Sequence, residues 1–447
     1  MAEFDAVWIA QRVTDKSATG IAMAMRALTR SGTLPVGTQL PPVREIAAEL
    51  GVSPATVANA WSALRKQRIL EGHRRNGTRV MNQQNLSIPT RFVSAGTFKE
   101  GVLDLRWSRP DVALLPRLDQ ALAHGAQAEM LNNYSREPIL PELELAVRQF
   151  WPYEPERFLA TNGGYGAIHL IFHALSLGGT TVAIEYPSAA RHFDILEDLG
   201  AQIVPVAVDN EGPVPASLAD ALVTKPAAFL FQPRLHSVTG QTVSRPRLAK
   251  LAALLSGSET VIIEDDGMAE ISGVPSQSLG QFLPEQVVHV HSFSKTLGPD
   301  LRLAVLSGPK AIIDQARSYR SFSSGWTSRI LQAAAAWLLR DPATADTVQR
   351  ARRVYNGRRS DLVEALLAQG GRADHGSGFS VWIPVKSEQF ATVTLAAHGI
   401  AATAGSHFGF GSLHHMRVAT STLPNDRVID VASALHLAAA DPGNTDY

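Results

Sequence analysis

The sequence predicts an α/β protein in unequal parts: a small basic unit of helices closed by a strand hairpin, a large domain built on a mainly parallel sheet, and a smaller α+β portion at the end. Three observations carry that prediction. The 447 residues are too many for one ordinary core of about 100–200 residues. Beyond residue 101, short β-rich runs alternate with helix-length segments, the pattern of βαβ units. The charge is also unevenly spread: forty-one Lys and Arg balance forty-one Asp and Glu over the chain, yet residues 1–80 hold eleven of the former against six of the latter. A neutral total offers no pull toward nucleic acid, whereas a basic end on an acidic body does. A chance excess on a solvated face is the alternative.

Composition narrows the function classes. With 45% hydrophobic and 18% charged residues the chain can bury a large core, which disordered sequences cannot. The absence of cysteine excludes disulfides, thiolate metal sites and a cysteine nucleophile, and no metal is expected. The first residues carry acids where a signal peptide needs bases, and no run approaches ~18 apolar residues. A cytoplasmic protein without membrane contact is expected.

In the first unit, taken as residues 1–80, Val43, Ile46, Ala47 and Leu50 mark the inner stripe of a short helix that Gly51 stops. Ser53 then caps a second helix beginning at Pro54, the position where proline is best tolerated. Helix, tight turn and helix place the second helix in a DNA major groove, with Ala55, Thr56 and Asn59 outward and Val57, Trp61 and Leu64 inward. From Leu70 to Val80 the pattern is strand, turn, strand, with Arg74, Arg75, Asn76 and Gly77 at its tip. That is a wing, suited to phosphate or minor-groove contact. Residues 81–101 have no sustained periodicity and read as a linker.

Over residues 102–447, strands are expected at 157–161, 181–186, 201–208, 227–233, 260–266 and 287–293, helices at 137–150, 164–176 and 346–369, and the small subdomain from about residue 345. Lys295, in HSFSKTLGPDLRLAVLSGP (291–309), follows a buried strand and is flanked by hydroxyls at Ser292, Ser294 and Thr296, with Arg302 seven residues on. An amine with hydroxyl and guanidinium donors beside it suits an aldehyde that carries a phosphate. In TNGGYGAIHLIFHAL (161–175), adjacent glycines join strand to helix where backbone N–H groups bind phosphate. A dinucleotide reading fails there, since His169 stands where the third glycine belongs. The strand VIIEDD ends in Asp265 and Asp266, and a buried carboxylate needs a cation such as a protonated pyridine nitrogen. Arg417, in an apolar strand, suits a carboxylate ligand or a structural salt bridge equally.

Two resemblances follow from these motifs. LPPVREIAAELGVSPATVANAW with the closing RNGTRV resembles the winged helix-turn-helix of GntR-family bacterial regulators, over about residues 16–80. That resemblance implies double-stranded DNA contacts from Arg44, Ser53, Thr56 and the wing residues Arg74–Gly77, and Asn59 joins them from the helix-face reading. Pro54 and Ala58 stand where many members have arginines. Ser-Phe-Ser-Lys with an arginine seven residues later, together with the other motifs, resembles the fold-type I pyridoxal-phosphate enzymes of the aspartate aminotransferase superfamily, over about 102–440. It implies pyridoxal 5'-phosphate as cofactor, Lys295 as its Schiff-base lysine, Asp265 rather than Asp266 at the pyridine nitrogen, and Gly163, Gly164 and Tyr165 with Ser292 and Arg302 at the phosphate. It further implies Tyr134 reaching a neighbouring subunit's phosphate, Arg417 as the carboxylate anchor, and a homodimer. The two parts together have the arrangement of the MocR/GabR regulators.

The chain departs from the enzymes around the ring. Ser237-Val238-Thr239-Gly240 replaces Asn-Pro-Thr-Gly, Gly267 and Met268 replace a tyrosine position, and Ala189 stands where an aromatic stacks on the ring, with His192 or His236 as candidates to approach it. Losing contacts to the phenolic oxygen while keeping lysine, aspartate and phosphate groups suits sensing better than turnover. The expectation is a bacterial transcription regulator whose large domain senses an amine, an amino acid or the cofactor itself, the last pointing to vitamin B6 metabolism. An active aminotransferase with an appended DNA-binding module is the alternative.

Overall fold

The computed structural model describes residues 4–13, 16–30, 33–66, 69–73, 77–81, 91 and 101–440. The chain divides into two compact units, Met1–Thr90 and Arg91–Tyr447.

In the first unit the third and fourth helices form as the apolar stripes require. Val43–Leu50 buries Ile46, Ala47 and Leu50, and Gly51 ends it in the left-handed conformation at φ 68°, where any Cβ would be strained. The Ser53 Oγ accepts the Thr56 N–H at 3.1 Å and so caps Pro54–Lys66, a contribution of about 1 kcal/mol. Val57, Trp61 and Leu64 of that helix are fully buried against Ile21 and Met25 of the helix Ala18–Arg30, each apolar side chain contributing about 1.5–3 kcal/mol. The hairpin Leu70–His73 and Gly77–Val80 is antiparallel, and Gln39–Leu40 adds a third strand outside Gly77–Val80. The tip residues Arg74, Arg75 and Asn76 lie outside the described residues, as does most of the linker.

The second unit is built on an eight-stranded sheet in the order Arg157–Thr161, Ala304–Gly308, Val287–Ser292, Val261–Asp266, Ala228–Phe231, Thr181–Tyr186, Gln202–Asp209, Gly212–Pro213. The expected parallel strands form near their expected bounds. The strand Ala304–Gly308 was not expected, and it runs antiparallel to both neighbours. Only eleven residues separate Ser292 from Ala304, short of the dozen or more that a parallel crossover needs. Leu159, Ile263, Val288, Val290 and Leu306 pack one face against the helix Gly164–Ala174. Phe158, Ala160 and Val305 pack the other against Pro141–Arg148 and Arg329–Arg340.

The smaller portion holds the long helix Pro342–Ala368, the strands Ser380–Pro384, Thr403–Ala404 and His415–Ala419, and the helices Glu388–Ala397 and Val428–Ala439. Leu103–Asp104 pairs in parallel with Ile400–Ala401, so the segment after the linker is joined to this portion by backbone hydrogen bonds.

Candidate functional site

The residues expected to act together come from the C-terminal ends of neighbouring parallel strands, where open α/β sheets place ligands. Thr161 ends one strand and leads to Gly163, which has φ 86° and ψ 162° and precedes the helix Gly164–Ala174. No side chain caps that helix, so its first N–H groups face outward with the positive end of the dipole. Ser292 ends a second strand. Arg302, itself at φ 46°, donates through Nη2 to the Asn162 carbonyl at 3.3 Å. The approach is close: a Cβ on Gly163 would sit 3.0 Å from Arg302 Nη2, and one on Gly164 would sit 3.1 Å from the Ser292 Cβ. Glycines, hydroxyl and guanidinium are thus brought together as donors that could form one anion cradle.

Lys295 is three residues beyond Ser292. Its Nζ donates to the Ser108 carbonyl and lies 5.6 Å from the Phe379 ring. Burial first, and the Arg417 charge second, bring its pKa down to about 8, so about a tenth of it is the nucleophilic neutral amine at pH 7, far more than for an ordinary lysine. Arg417 donates to the Arg106 carbonyl at 2.7 Å and lies 4.3 Å over the Phe408 ring. The segment Arg106–Ser108 therefore holds both cations in one place. Among the described residues no carboxylate pairs with Arg417, its Nε has no partner, and burial lowers its pKa to about 10. The salt-bridge alternative finds no partner there.

Strand alternation separates the adjacent aspartates, because successive side chains point to opposite faces. Asp265 shares a face with Ile263 and, in register, Val290, the side of the Gly164–Ala174 helix. His192, fully buried, places Nε2 3.2 Å from Asp265 Oδ2. Glu185 is also buried nearby, and burial with the Asp265 charge behind it pushes its carboxyl well above the usual range. Asp266 points to the other face, where Arg234 grips it through Nε at 2.9 Å and Nη2 at 2.5 Å.

The other expected residues are placed as follows. Tyr165 is the second residue of the helix Gly164–Ala174, its ring 5.8 Å from His192 and 5.0 Å from the Arg191 guanidinium. The Ser237 N–H donates to Gln232 Oε1 at 2.8 Å, and the next residue, Val238, packs with Trp382 and Phe408. Ala189 is buried at the start of the helix Ala190–Asp198. Of the two candidate histidines, His192 goes to Asp265, whereas His236 directs Nε2 to the Pro187 carbonyl at 3.0 Å and burial brings its pKa down to about 4. Tyr134 is 84% exposed and touches the Trp326 ring at 5.8 Å. In the first unit Arg44 and Asn59 are exposed and Thr56 half-exposed on their helices, and Gly77 opens the last strand at φ 74°.

Two contributions escaped sequence reasoning. Glu185 and Gln232 end apolar strands singly, with no motif to mark them. Arg91, within the linker, pairs with Glu197 at 2.7 Å and Asp194 at 3.3 Å and lies 5.2 Å from the Phe193 ring. All three partners lie on the helix that carries His192.

The amine, the anion cradle and the carboxylate on one sheet edge match the donor set for a phosphorylated pyridine aldehyde. Comparison with known proteins agrees. Residues 100–435 match the family model "Aminotransferase class I and II", and residues 18–80 match "Bacterial regulatory proteins, gntR family". The chain is 32% identical over 433 residues to the vitamin B6 salvage pathway transcriptional repressor PtsJ of Salmonella typhimurium, covering 95% of this chain and 99% of that one. It is 26% identical over 411 residues to the pyridoxine biosynthesis transcriptional regulator PdxR of Corynebacterium glutamicum, covering 88% and 89%. Among solved structures, a kynurenine aminotransferase of Pyrococcus horikoshii matches with TM-score 0.69 at 18% identity over 76% of this chain and 90% of that one, a likeness of fold. No helix among the described residues is long and apolar enough to cross a membrane.

Proposed function

The chain belongs to the class I and II aminotransferase family and carries ahead of that domain a regulator unit of the gntR family, and from this premise we propose that it is a transcription regulator whose aminotransferase-like domain reports pyridoxal phosphate, or an amine condensed with it, to DNA. The observation that carries the reading is the convergence of Lys295, the Gly163–Gly164–Ser292–Arg302 cradle and Asp265 without the ring-stacking aromatic, Ala189 being buried in its place. When bound, pyridoxal phosphate supplies a carbonyl that links covalently to a primary amine and a conjugated ring that absorbs visible light.

The protein's own residues divide the work. Lys295 offers an amine whose lowered pKa, about 8, leaves about a tenth of it neutral at pH 7. The free N–H groups at the start of the Gly164–Ala174 helix, the Ser292 hydroxyl and Arg302 bind the phosphate dianion. Asp265, with the His192 imidazole 3.2 Å away, accepts a proton-bearing ring nitrogen. Arg417 is the anchor for a ligand carboxylate. His192 shares its helix with the Arg91 partners Asp194 and Glu197, so a shift at Asp265 reaches the linker through one rigid element. A ligand moves such an equilibrium only by binding two arrangements unequally.

The names of the two regulators above support the cofactor itself as the signal. A homodimer presenting two winged helices to paired half-sites is part of this proposal, as is Tyr134 completing the partner's site. The test is spectroscopic and kinetic together. Purified protein with pyridoxal phosphate is expected to show a visible band that Lys295→Ala lacks, with no steady-state transamination over a panel of amino acids. Turnover at ~1–1000 per second, the ordinary enzymic range, would establish the enzyme reading instead.

A further inference from the structure

The face of the sheet opposite the cofactor side carries a buried polar cluster that the proposed function does not use. Glu264 and Asp266 alternate on one strand, His289 and His291 on the next, and the register pairs Glu264 with His289 and Asp266 with His291. All four are at most 3% exposed. Trp151 packs against both imidazoles, at 5.2 Å and 5.8 Å, and Phe150 against His291 at 5.1 Å.

The tautomers follow from the carboxylates behind each ring. His289 Nδ1 is 2.7 Å from Glu264 Oε2, and Glu264 is fixed by the Ser278 hydroxyl and the Leu279 N–H, each at 2.6 Å. A proton on Nδ1 leaves the Nε2 lone pair facing Asp266 Oδ2 at 3.7 Å. His291 directs Nδ1 to the same Asp266 oxygen at 3.3 Å, with Glu270 Oε2 3.5 Å from its Nε2. Both Nε2 atoms are buried without a hydrogen-bond partner. Asp266 and the two imidazoles thus each direct a metal-ligating atom to one buried place, all within 4.8 Å of one another. Glu264, Asp266 and Glu270 bring three negative charges, and Arg234, which grips Asp266 and lies 3.5 Å from Glu270, brings one positive charge. The deficit is two.

We infer that Asp266, His289 and His291 form a structural divalent-metal site for a Zn²⁺-class ion, with Glu264 and Glu270 orienting the two imidazoles from behind. Metal-ligating histidines characteristically donate their second ring N–H to a carboxylate, which is the arrangement at His289, and Glu270 stands 3.5 Å behind His291. Ligands about 2.0–2.2 Å from a tetrahedral zinc sit roughly 3.4 Å from each other, and the observed spacings to Asp266 are 3.3 Å and 3.7 Å. Imidazole and carboxylate donors suit zinc and its neighbours rather than soft or all-oxygen ions. An ion here would fix the strand end that sets Asp265 on the opposite face.

The test uses the full-length protein stripped with EDTA, re-equilibrated with Zn²⁺, desalted, and analysed for metal by mass spectrometry, with thermal melts in zinc and in EDTA. One equivalent per chain is expected, with Tm about 4–8 °C higher in zinc. His291→Ala and Asp266→Asn should lose both effects. The exposed neighbouring pair His169 and His173, 3.2 Å apart, is the control: changing both to Ala should leave the equivalent in place. Absence of retained zinc together with identical melts would overturn the inference and assign the balancing charge to two protonated imidazoles. Loss of the ion only with the His169 and His173 change would overturn it equally. If the cluster variants do not fold, the wild-type metal content and melts still decide.

Discussion

Gly163→Ala probes the anion cradle at its tightest point. Gly163 adopts φ 86° and ψ 162°, a region essentially reserved for glycine, and holding another residue there costs about 1–3 kcal/mol. The added methyl would stand 3.0 Å from Arg302 Nη2 and 3.2 Å from its Cζ, so the guanidinium must withdraw from the position in which it meets a phosphate. A charge-assisted hydrogen bond contributes about 1.5–3 kcal/mol, which at 1.36 kcal/mol per decade makes the expected loss in pyridoxal phosphate affinity about 10- to 150-fold. Lys295 and Asp265 are untouched. The assay is a titration of purified protein followed at the visible band, with far-ultraviolet circular dichroism to confirm folding. Affinity within twofold of wild type in a folded variant would remove Gly163 and Arg302 from cofactor binding.

Further outcomes follow from the same geometry. The rate of cofactor capture should rise about tenfold per pH unit below pH 8 and level off above about pH 9, because the folded lysine titrates near 8 and reacts as the neutral amine; a rate still climbing beyond pH 10 in stopped-flow absorbance would contradict that. Arg417→Gln should weaken amino acids added to the cofactor-loaded protein by tenfold or more while leaving simple amines unchanged, read as shifts of the visible band. Ser53→Ala should lower the stability of the first unit by about 1 kcal/mol, measured by denaturation. Neutralising Arg74 and Arg75 should weaken operator binding and reduce the slope of log affinity against log salt by up to about two, and an unchanged slope would remove the wing from DNA contact.

Much of the site was readable because its chemistry is clustered along the chain. Gly163–Gly164, Asp265–Asp266 and Ser292 to Arg302 each sit at a strand end, and β alternation alone dictates that the two aspartates serve different faces. The strand Ala304–Gly308 was missed because its approach from Ser292 lacks the helix-length spacer on which a parallel reading depends. Glu185 and Gln232 could not be found from sequence, since a single polar residue ending an apolar strand carries no periodicity and acquires meaning only beside Asp265 or Ser237. The nearness of His192 to Asp265, set by helix Ala190–Asp198, was likewise not legible from the sequence. The alternating histidines of VVHVHSF did carry a signal, two imidazoles on one strand face, but their acidic partners are supplied by the register with Val261–Asp266, which no local pattern reveals.

The central claim is that cofactor occupancy at Lys295 governs DNA binding. The most direct measurement is fluorescence anisotropy of a labelled duplex taken from the DNA flanking the protein's own gene, titrated with wild type and Lys295→Ala, each with and without pyridoxal phosphate. We expect wild-type affinity to change at least fivefold on adding the cofactor and Lys295→Ala to show no change. Equal affinity in all four titrations, or an equal response in the variant, would contradict the account.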